Sequence, residues 1–138
     1  SGELAKVGAP TFDAWIVRRD FVEKHPKFVQ QFTQVTADAY AAYRANPNAW
    51  GVKSPQAAKI AKLTGANLEE IPELLTGSSF PLANEQAASA LLGGGTVKAI
   101  ADTAAFLKEQ GKVEKVLDDY SSYVNSRFVK AVQAPAKP

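Results

Sequence analysis

The sequence lacks cysteine altogether and contains a single histidine, His25, among its 138 residues. Without cysteine, disulfide bonds, thiolate catalysis and cysteine-ligated zinc or iron–sulfur centres are excluded, and one imidazole excludes metal sites that need two. We expect neither a cofactor nor a resident metal. No window approaches the roughly 18 uncharged apolar residues of a membrane-spanning helix, and the first residues lack the pattern of a signal peptide.

The sequence also has little net charge, because its 16 basic and 14 acidic residues nearly balance and leave +2. The basic residues are spread along the chain, so no footprint for a phosphate backbone is visible and nucleic acid is not an expected partner. Hydrophobic residues make up 46% and charged residues 22% of the sequence, which is typical of a globular protein with one core.

One segment near the N-terminus predicts a β-strand, over about residues 10–18. It follows Gly8-Ala9-Pro10, and the β-branched and aromatic residues Phe12, Trp15, Ile16 and Val17 favour extended structure. Its centre is apolar on both faces, which is typical of a strand buried inside a sheet. No second strand is evident, so its partners are expected in another chain or in residues outside this sequence.

The rest of the chain predicts helices to about residue 133. The longest begins at Pro26, runs to about Ala45 and carries one apolar stripe, which predicts a buried face: Phe28, Phe32, Val35, Ala39 and Tyr43. Further helices are expected over 55–64, 68–77, 83–92, 96–110, 113–117 and 125–133, and residues 134–138 are expected to be disordered. The chain, residues 1–138, is therefore expected to be mainly α with one strand.

Four stretches of the chain together resemble a known family. They are Gly8-Ala-Pro-Thr-Phe-Asp13 with the residues that follow to Pro26, Lys59-Ile-Ala-Lys-Leu-Thr-Gly65, Ala101 through AFLKEQGKV to Val113, and Asp119 to Val129. In this order they resemble the periplasmic taurine-binding proteins of ABC importers, within the aliphatic-sulfonate solute-binding family, over nearly the whole chain.

The resemblance implies a fold, a location and partners. These proteins have two α/β lobes around a cleft, the type II fold of periplasmic binding proteins, and the chain resembles their C-terminal half. The strand over 10–18 would then pair with strands of the N-terminal half. The implied function is capture of taurine or a related sulfonate in the periplasm and delivery to the membrane permease. For the 138 residues alone, a strand swap or a homo-oligomer remains open.

The resemblance also implies a ligand site at the GAPT-x-D motif. Asp13 is implied to hold the ligand ammonium, with Pro10, Thr11 and Phe12 lining the same edge of the cleft. From the residues alone, an aspartate after a Pro-Thr turn has a second interpretation, in which it only accepts hydrogen bonds from nearby backbone. No catalytic and no metal residue is expected.

Two other functions stay open at the level of sequence. Thiamin-pyrimidine synthases share the lobed fold, but their chemistry consumes histidine and depends on iron, whereas this chain offers only His25. A helical oligomerising fragment without ligand binding of its own is the third interpretation. The binding protein is preferred, and an enzyme is not expected.

Overall fold

A computed structural model describes residues 12–134, and within that range all regular secondary structure is helical. The α-helices, numbered here in chain order, are α1 Arg19–Lys24, α2 Pro26–Ala45, α3 Pro55–Thr64, α4 Ile71–Thr76, α5 Ala83–Ala87, α6 Gly95–Glu109 and α7 Arg127–Lys130. Short 3₁₀ turns occupy Pro47–Trp50, Leu68–Glu70 and Ser121–Tyr123. The mainly helical composition confirms the coarse prediction.

Helix boundaries follow local sequence chemistry closely in the first half of the chain. Pro26 occupies the first turn of α2, where its missing N–H costs no hydrogen bond. The Ser54 hydroxyl caps α3 by accepting a hydrogen bond from the Ala57 N–H at 3.0 Å. Gly65 ends that helix with φ of 74°, a left-handed conformation that favours glycine.

Helix α5 is shorter than predicted, because the chain leaves the helical path at Ala88, where φ is −67° and ψ is 163°. Residues 88–94 then form turns rather than the expected helix to residue 92. The glycine run explains the difference. A Cβ on Gly93 would lie 2.8 Å from the Ala88 carbonyl, so the glycines permit a close backbone approach in addition to ending a helix.

Helix α7 packs against both α2 and α5 and brings the end of the chain back onto its middle. The Gln30 side chain donates to the Phe128 carbonyl at 3.2 Å. Gln34 donates to the Gln133 carbonyl at 3.0 Å and accepts from the Gln133 N–H at 2.9 Å. These bonds hold α7 and the residues after it on α2.

Aromatic contacts and one ion pair hold the middle of the chain to the C-terminal half of α2. The Tyr43 ring meets Trp50 at 5.5 Å and Phe80 at 5.0 Å between centroids, both edge to face. Arg44 donates to the Phe80 carbonyl at 3.1 Å and pairs with Glu85 at 2.9 Å. The segment between α4 and α5 is therefore fixed on α2.

The predicted buried strand is not found in the described residues. Residues 12–18 have no regular secondary structure and are exposed, with Ile16 at 95% of its maximal accessibility; residues 10 and 11 lie outside the described range. No described residue forms a hydrogen bond with the backbone of 12–17. A strand needs a neighbouring strand for its backbone groups, and none occurs in residues 12–134.

The predicted buried stripe of α2 is wrong for this chain except at one position. Tyr43 is buried, whereas Phe28, Phe32, Val35 and Ala39 are exposed. The buried side chains of the described residues are instead Ala37, Tyr43, Ala57, Ile71 and Phe128. The periodicity did identify an apolar face of the helix. In this chain, however, the other helices pack mainly on a different face of it.

The second half of the chain is less helical than predicted. Residues 113–117 are not helical, and the last described helix, α7, ends at Lys130 rather than near 133. Residues 135–138, predicted to be a disordered tail, lie outside the described range. Within residues 12–134 no helix combines the length and apolarity needed to cross a bilayer.

Candidate ligand-binding site

The segment that was expected to carry the ligand site is only partly described. Pro10 and Thr11 lie outside the described residues, whereas Phe12 and Asp13 lie inside them. The Phe12 ring is about half exposed, at 49%, and Asp13 is exposed. No described residue donates a hydrogen bond to the Asp13 carboxylate. The second interpretation, an aspartate bonded to nearby backbone, gains no support from residues 12–134.

Three contacts fix the segment that follows Asp13 on the helices. Trp15 packs edge to face on Phe32 of α2, with 4.9 Å between ring centroids. The Arg18 guanidinium binds Asp20 with two hydrogen bonds, of 3.0 and 2.9 Å. The segment therefore runs along the N-terminal half of α2 and enters α1 with a defined direction.

A fourth contact joins the start of α1 to the C-terminal part of the chain. The Arg19 side chain donates to the Ser122 carbonyl at 3.3 Å, across 103 positions of sequence. Ser122 belongs to the 3₁₀ turn Ser121–Tyr123, which borders the larger groove of the described residues. This hydrogen bond joins the first residue of α1 to the turn next to that groove.

That groove has a volume of about 470 Å³ and lies between the start of α6 and residues 118–124. Its lining includes Val97 and Lys98 from the helix and Asp119, Tyr120 and Ser121 from the opposite wall. A second, smaller groove of about 370 Å³ lies between α5 and the C-terminal end of α7. Neither of these two grooves is lined by Phe12 or Asp13.

Several polar groups of the larger groove already have partners within the chain. Ser121 donates to Asp119 from its hydroxyl at 2.6 Å and from its backbone N–H at 2.8 Å. These bonds, the hydroxyl first, lower the pKa of Asp119 because they favour its charged form. Lys98 is paired with Asp102 one turn along α6. The groove therefore offers no unpaired buried charge to a ligand.

The Arg44–Glu85 pair was not anticipated from the sequence. A hydrogen bond from Arg44 lowers the pKa of Glu85, and a second one from the Leu82 N–H at 2.7 Å acts in the same direction. The same contact raises the pKa of Arg44. The sequence carried no capping-box signal for Glu85, because Leu82, three residues earlier, has no side-chain acceptor, and only the bond from its N–H to Glu85 forms.

Metal binding receives no support from the described residues. They contain no group of three or more histidine, cysteine, aspartate or glutamate side chains that could hold an ion. His25 separates α1 from α2, and its ring packs on Phe21 at 4.8 Å between centroids.

The sequence of the chain was compared with those of known protein families and of individual proteins. No protein-family model matches the chain. At the level of class, the chain is similar to periplasmic binding proteins. The particular relative is the taurine-binding periplasmic protein of Escherichia coli strain K12, with 46% identity over 129 residues.

The coverage of this match is unequal between the two proteins. It includes 94% of this chain but 40% of the relative, so the chain spans well under half of the length of the protein it matches. The resemblance predicted from the four stretches of sequence is thereby confirmed, and the chain matches only a portion of this longer relative.

Proposed function

We propose that the chain is part of the solute-binding component of an ABC importer, which binds taurine or a related aliphatic sulfonate outside the cytoplasmic membrane. The periplasm is the proposed location, and a membrane permease is the proposed partner. The single observation that carries this proposal is the 46% identity to the taurine-binding periplasmic protein across 94% of the chain. No chemical transformation of the ligand is part of the proposal.

The proposed site uses Asp13 as the anion that faces the ligand ammonium. Taurine carries an ammonium two carbons from a sulfonate, so its pocket needs a fixed negative group at one end and N–H donors at the other. Phe12, Thr11 and Pro10 would line the edge next to Asp13. Truncating one member of a desolvated charge pair costs roughly 2–5 kcal/mol, so Asp13 would contribute strongly once a second wall excludes water.

The proposed architecture assigns residues 1–138 to the C-terminal portion of a two-lobed type II fold. The described residues 12–18 are exposed, and the backbone of 12–17 makes no hydrogen bonds with other described residues. In the complete protein, the segment 10–18 would form a strand by pairing with strands contributed by the remainder. The sulfonate would be bound mainly by backbone N–H groups and side chains of that remainder, because neither groove of the described residues contains Asp13.

The proposal is tested by calorimetric titration of taurine into the full-length protein and its Asp13→Asn variant. We expect the wild-type protein to bind and the variant to lose at least about tenfold in affinity, which corresponds to about 1.4 kcal/mol. Asp102→Asn is the matched control, because it makes the same charge change at an exposed ion pair on α6. No heat of binding for any sulfonate would contradict the function. Unchanged affinity in Asp13→Asn would contradict only the site.

A further inference from the structure

An aromatic contact holds the segment that carries Asp13 on helix α2. The Trp15 ring meets the Phe32 ring edge to face, with 4.9 Å between centroids and 89° between the ring planes. Trp15 follows Asp13 by two residues, so their Cα atoms are at most about 7 Å apart. The backbone of residues 12–17 makes no hydrogen bonds with other described residues. Side-chain contacts such as this one therefore decide where the segment lies.

The contact also decides which side of the segment faces the helix. Phe32 is 39% exposed under the Trp15 ring, whereas Ile16, the next residue of the segment, is 95% exposed. In the strand proposed for the full-length protein, side chains two positions apart lie on the same side. Asp13 then lies on the side of Trp15. Fixing the Trp15 ring on Phe32 thus fixes the side to which the Asp13 carboxylate points.

The direction of the Asp13 carboxylate matters because its proposed task is to bind an ammonium group. No described residue donates a hydrogen bond to this carboxylate, so its direction depends on the backbone that carries it. The attraction between two opposite charges weakens as they separate and as water enters between them. A shift of the strand by one residue would turn Asp13 to the opposite side altogether.

We propose that Trp15 and Phe32 are positioning residues for Asp13, and that their contact determines the preference of the site for a ligand with an ammonium group. Neither ring is assigned a contact with the ligand. The inference rests on the proposed function and deepens it, because it names the residues on which the specificity of that site depends.

The test uses the full-length protein with two ligands, taurine and ethanesulfonate, in which the ammonium of taurine is absent. Calorimetry gives both affinities for wild type, Phe32→Leu and Trp15→Leu. Leucine retains an apolar side chain and removes the edge-to-face contact. We expect each variant to lose about threefold to tenfold in affinity for taurine, the contribution of one edge-to-face pair. The affinity for ethanesulfonate should change by less than about twofold.

Three further variants separate positioning from a general effect on the fold. Phe28→Leu is the matched control, because Phe28 lies one turn before Phe32 on α2 and packs on Phe21 at 5.8 Å between centroids. It should bind both ligands as wild type does. Phe32→Tyr retains the aromatic ring and should keep the preference for taurine. In the Asp13→Asn background, Phe32→Leu should cause no further loss of taurine affinity, because the group that it positions is gone.

A preference for taurine that persists in both leucine variants would overturn the inference and leave the proposed function standing. Equal losses for the two ligands would also overturn it, because the contact would then support only the fold. A loss in only one of the two leucine variants has the same consequence, since the contact needs both rings. A wild-type protein that binds neither sulfonate would reject the proposed function, and this inference with it.

Discussion

The two sides of helix α2 differ in their surroundings. On one side, Ala37 is buried and Gln34 is bound to the end of the chain by two hydrogen bonds. On the other side, Phe28 and Val35 are more than half exposed. The first side gains stability from contacts within the chain, and the second has its apolar surface still in water.

This difference shows that an apolar stripe in the sequence identifies a helix face suited to burial. It does not identify the residues that pack on that face. Tyr43 belongs to the stripe read from sequence and is buried, because Trp50 and Phe80 reach it at the C-terminal end of the helix. Towards the N-terminal end, Phe32 meets Trp15 from an otherwise exposed segment. The stripe is covered where the chain returns to it and is open elsewhere.

The largest effect is expected on the packed side, from Phe128→Ala. Phe128 is buried against α2, and removing a buried aromatic ring costs about 3–5 kcal/mol. Urea unfolding followed by far-UV circular dichroism should show this loss in the 138-residue chain and in the full-length protein. Phe106→Ala is the control in the 138-residue chain, because Phe106 is largely exposed there. Equal effects of the two variants in that chain would mean that the packed side is not formed.

Breaking the bond between α2 and the end of the chain should have an effect near 1 kcal/mol. Gln34→Ala removes both hydrogen bonds to Gln133, whose net contribution is about 0.5–1.5 kcal/mol each, and leaves the partner groups partly open to water. Gln31→Ala is the matched control, because Gln31 is exposed on the same helix. Stability measured by urea unfolding should separate the two variants. If they are equally stable, the end of the chain is not held on α2.

The smallest effect is expected from the Arg44–Glu85 pair, through its pH dependence. The pKa of Glu85 is lowered in the folded chain from its usual value of 4.5. The stability that this pair contributes is therefore present above pH 4.5 and is lost as the pH falls through the lower, folded pKa. Arg44→Gln should thus be less stable than wild type at pH 7 and approach it as the solution becomes more acidic.

Thermal unfolding of wild type and Arg44→Gln between pH 7 and pH 3 measures this convergence. Lys98→Gln is the control, because it removes an exposed ion pair within α6 and leaves Glu85 untouched. Both Arg44 and Glu85 are solvent-accessible, so the effect should also weaken at high salt. A stability difference that grows as the pH is lowered would contradict the assigned direction.

Much of the helical part could be predicted because its signals are local. Ser54, Gly65 and Pro26 act within one turn of their own positions, and the structure places helix ends where they predict them. Asn67 is likewise a typical N-cap residue, and its side chain accepts a hydrogen bond from the Glu69 N–H at the start of the 3₁₀ turn Leu68–Glu70. The strand predicted over 10–18 is not found in the described residues. A strand forms only with a partner strand, and residues 12–134 do not supply one.

For the candidate site, the sequence predicted the ligand-binding motif but not the cleft around it. The sequence locates Asp13 next to Phe12, but a cleft is made by two walls, and neither groove of the described residues contains either side chain. Contacts such as Arg19 with Ser122, or Arg44 with Glu85, join positions far apart in sequence and leave no periodic signal. These tertiary contacts could be obtained only from the structure.

The central claim is that Asp13 recognises the ammonium group of a sulfonate ligand in the full-length protein. A calorimetric cycle tests it most directly, with taurine and ethanesulfonate titrated into wild type and Asp13→Asn. Ethanesulfonate keeps the sulfonate and lacks the ammonium. We predict that wild type prefers taurine by at least about tenfold, or about 1.4 kcal/mol, and that Asp13→Asn loses this preference. A preference for taurine of the same size in both proteins would contradict the account.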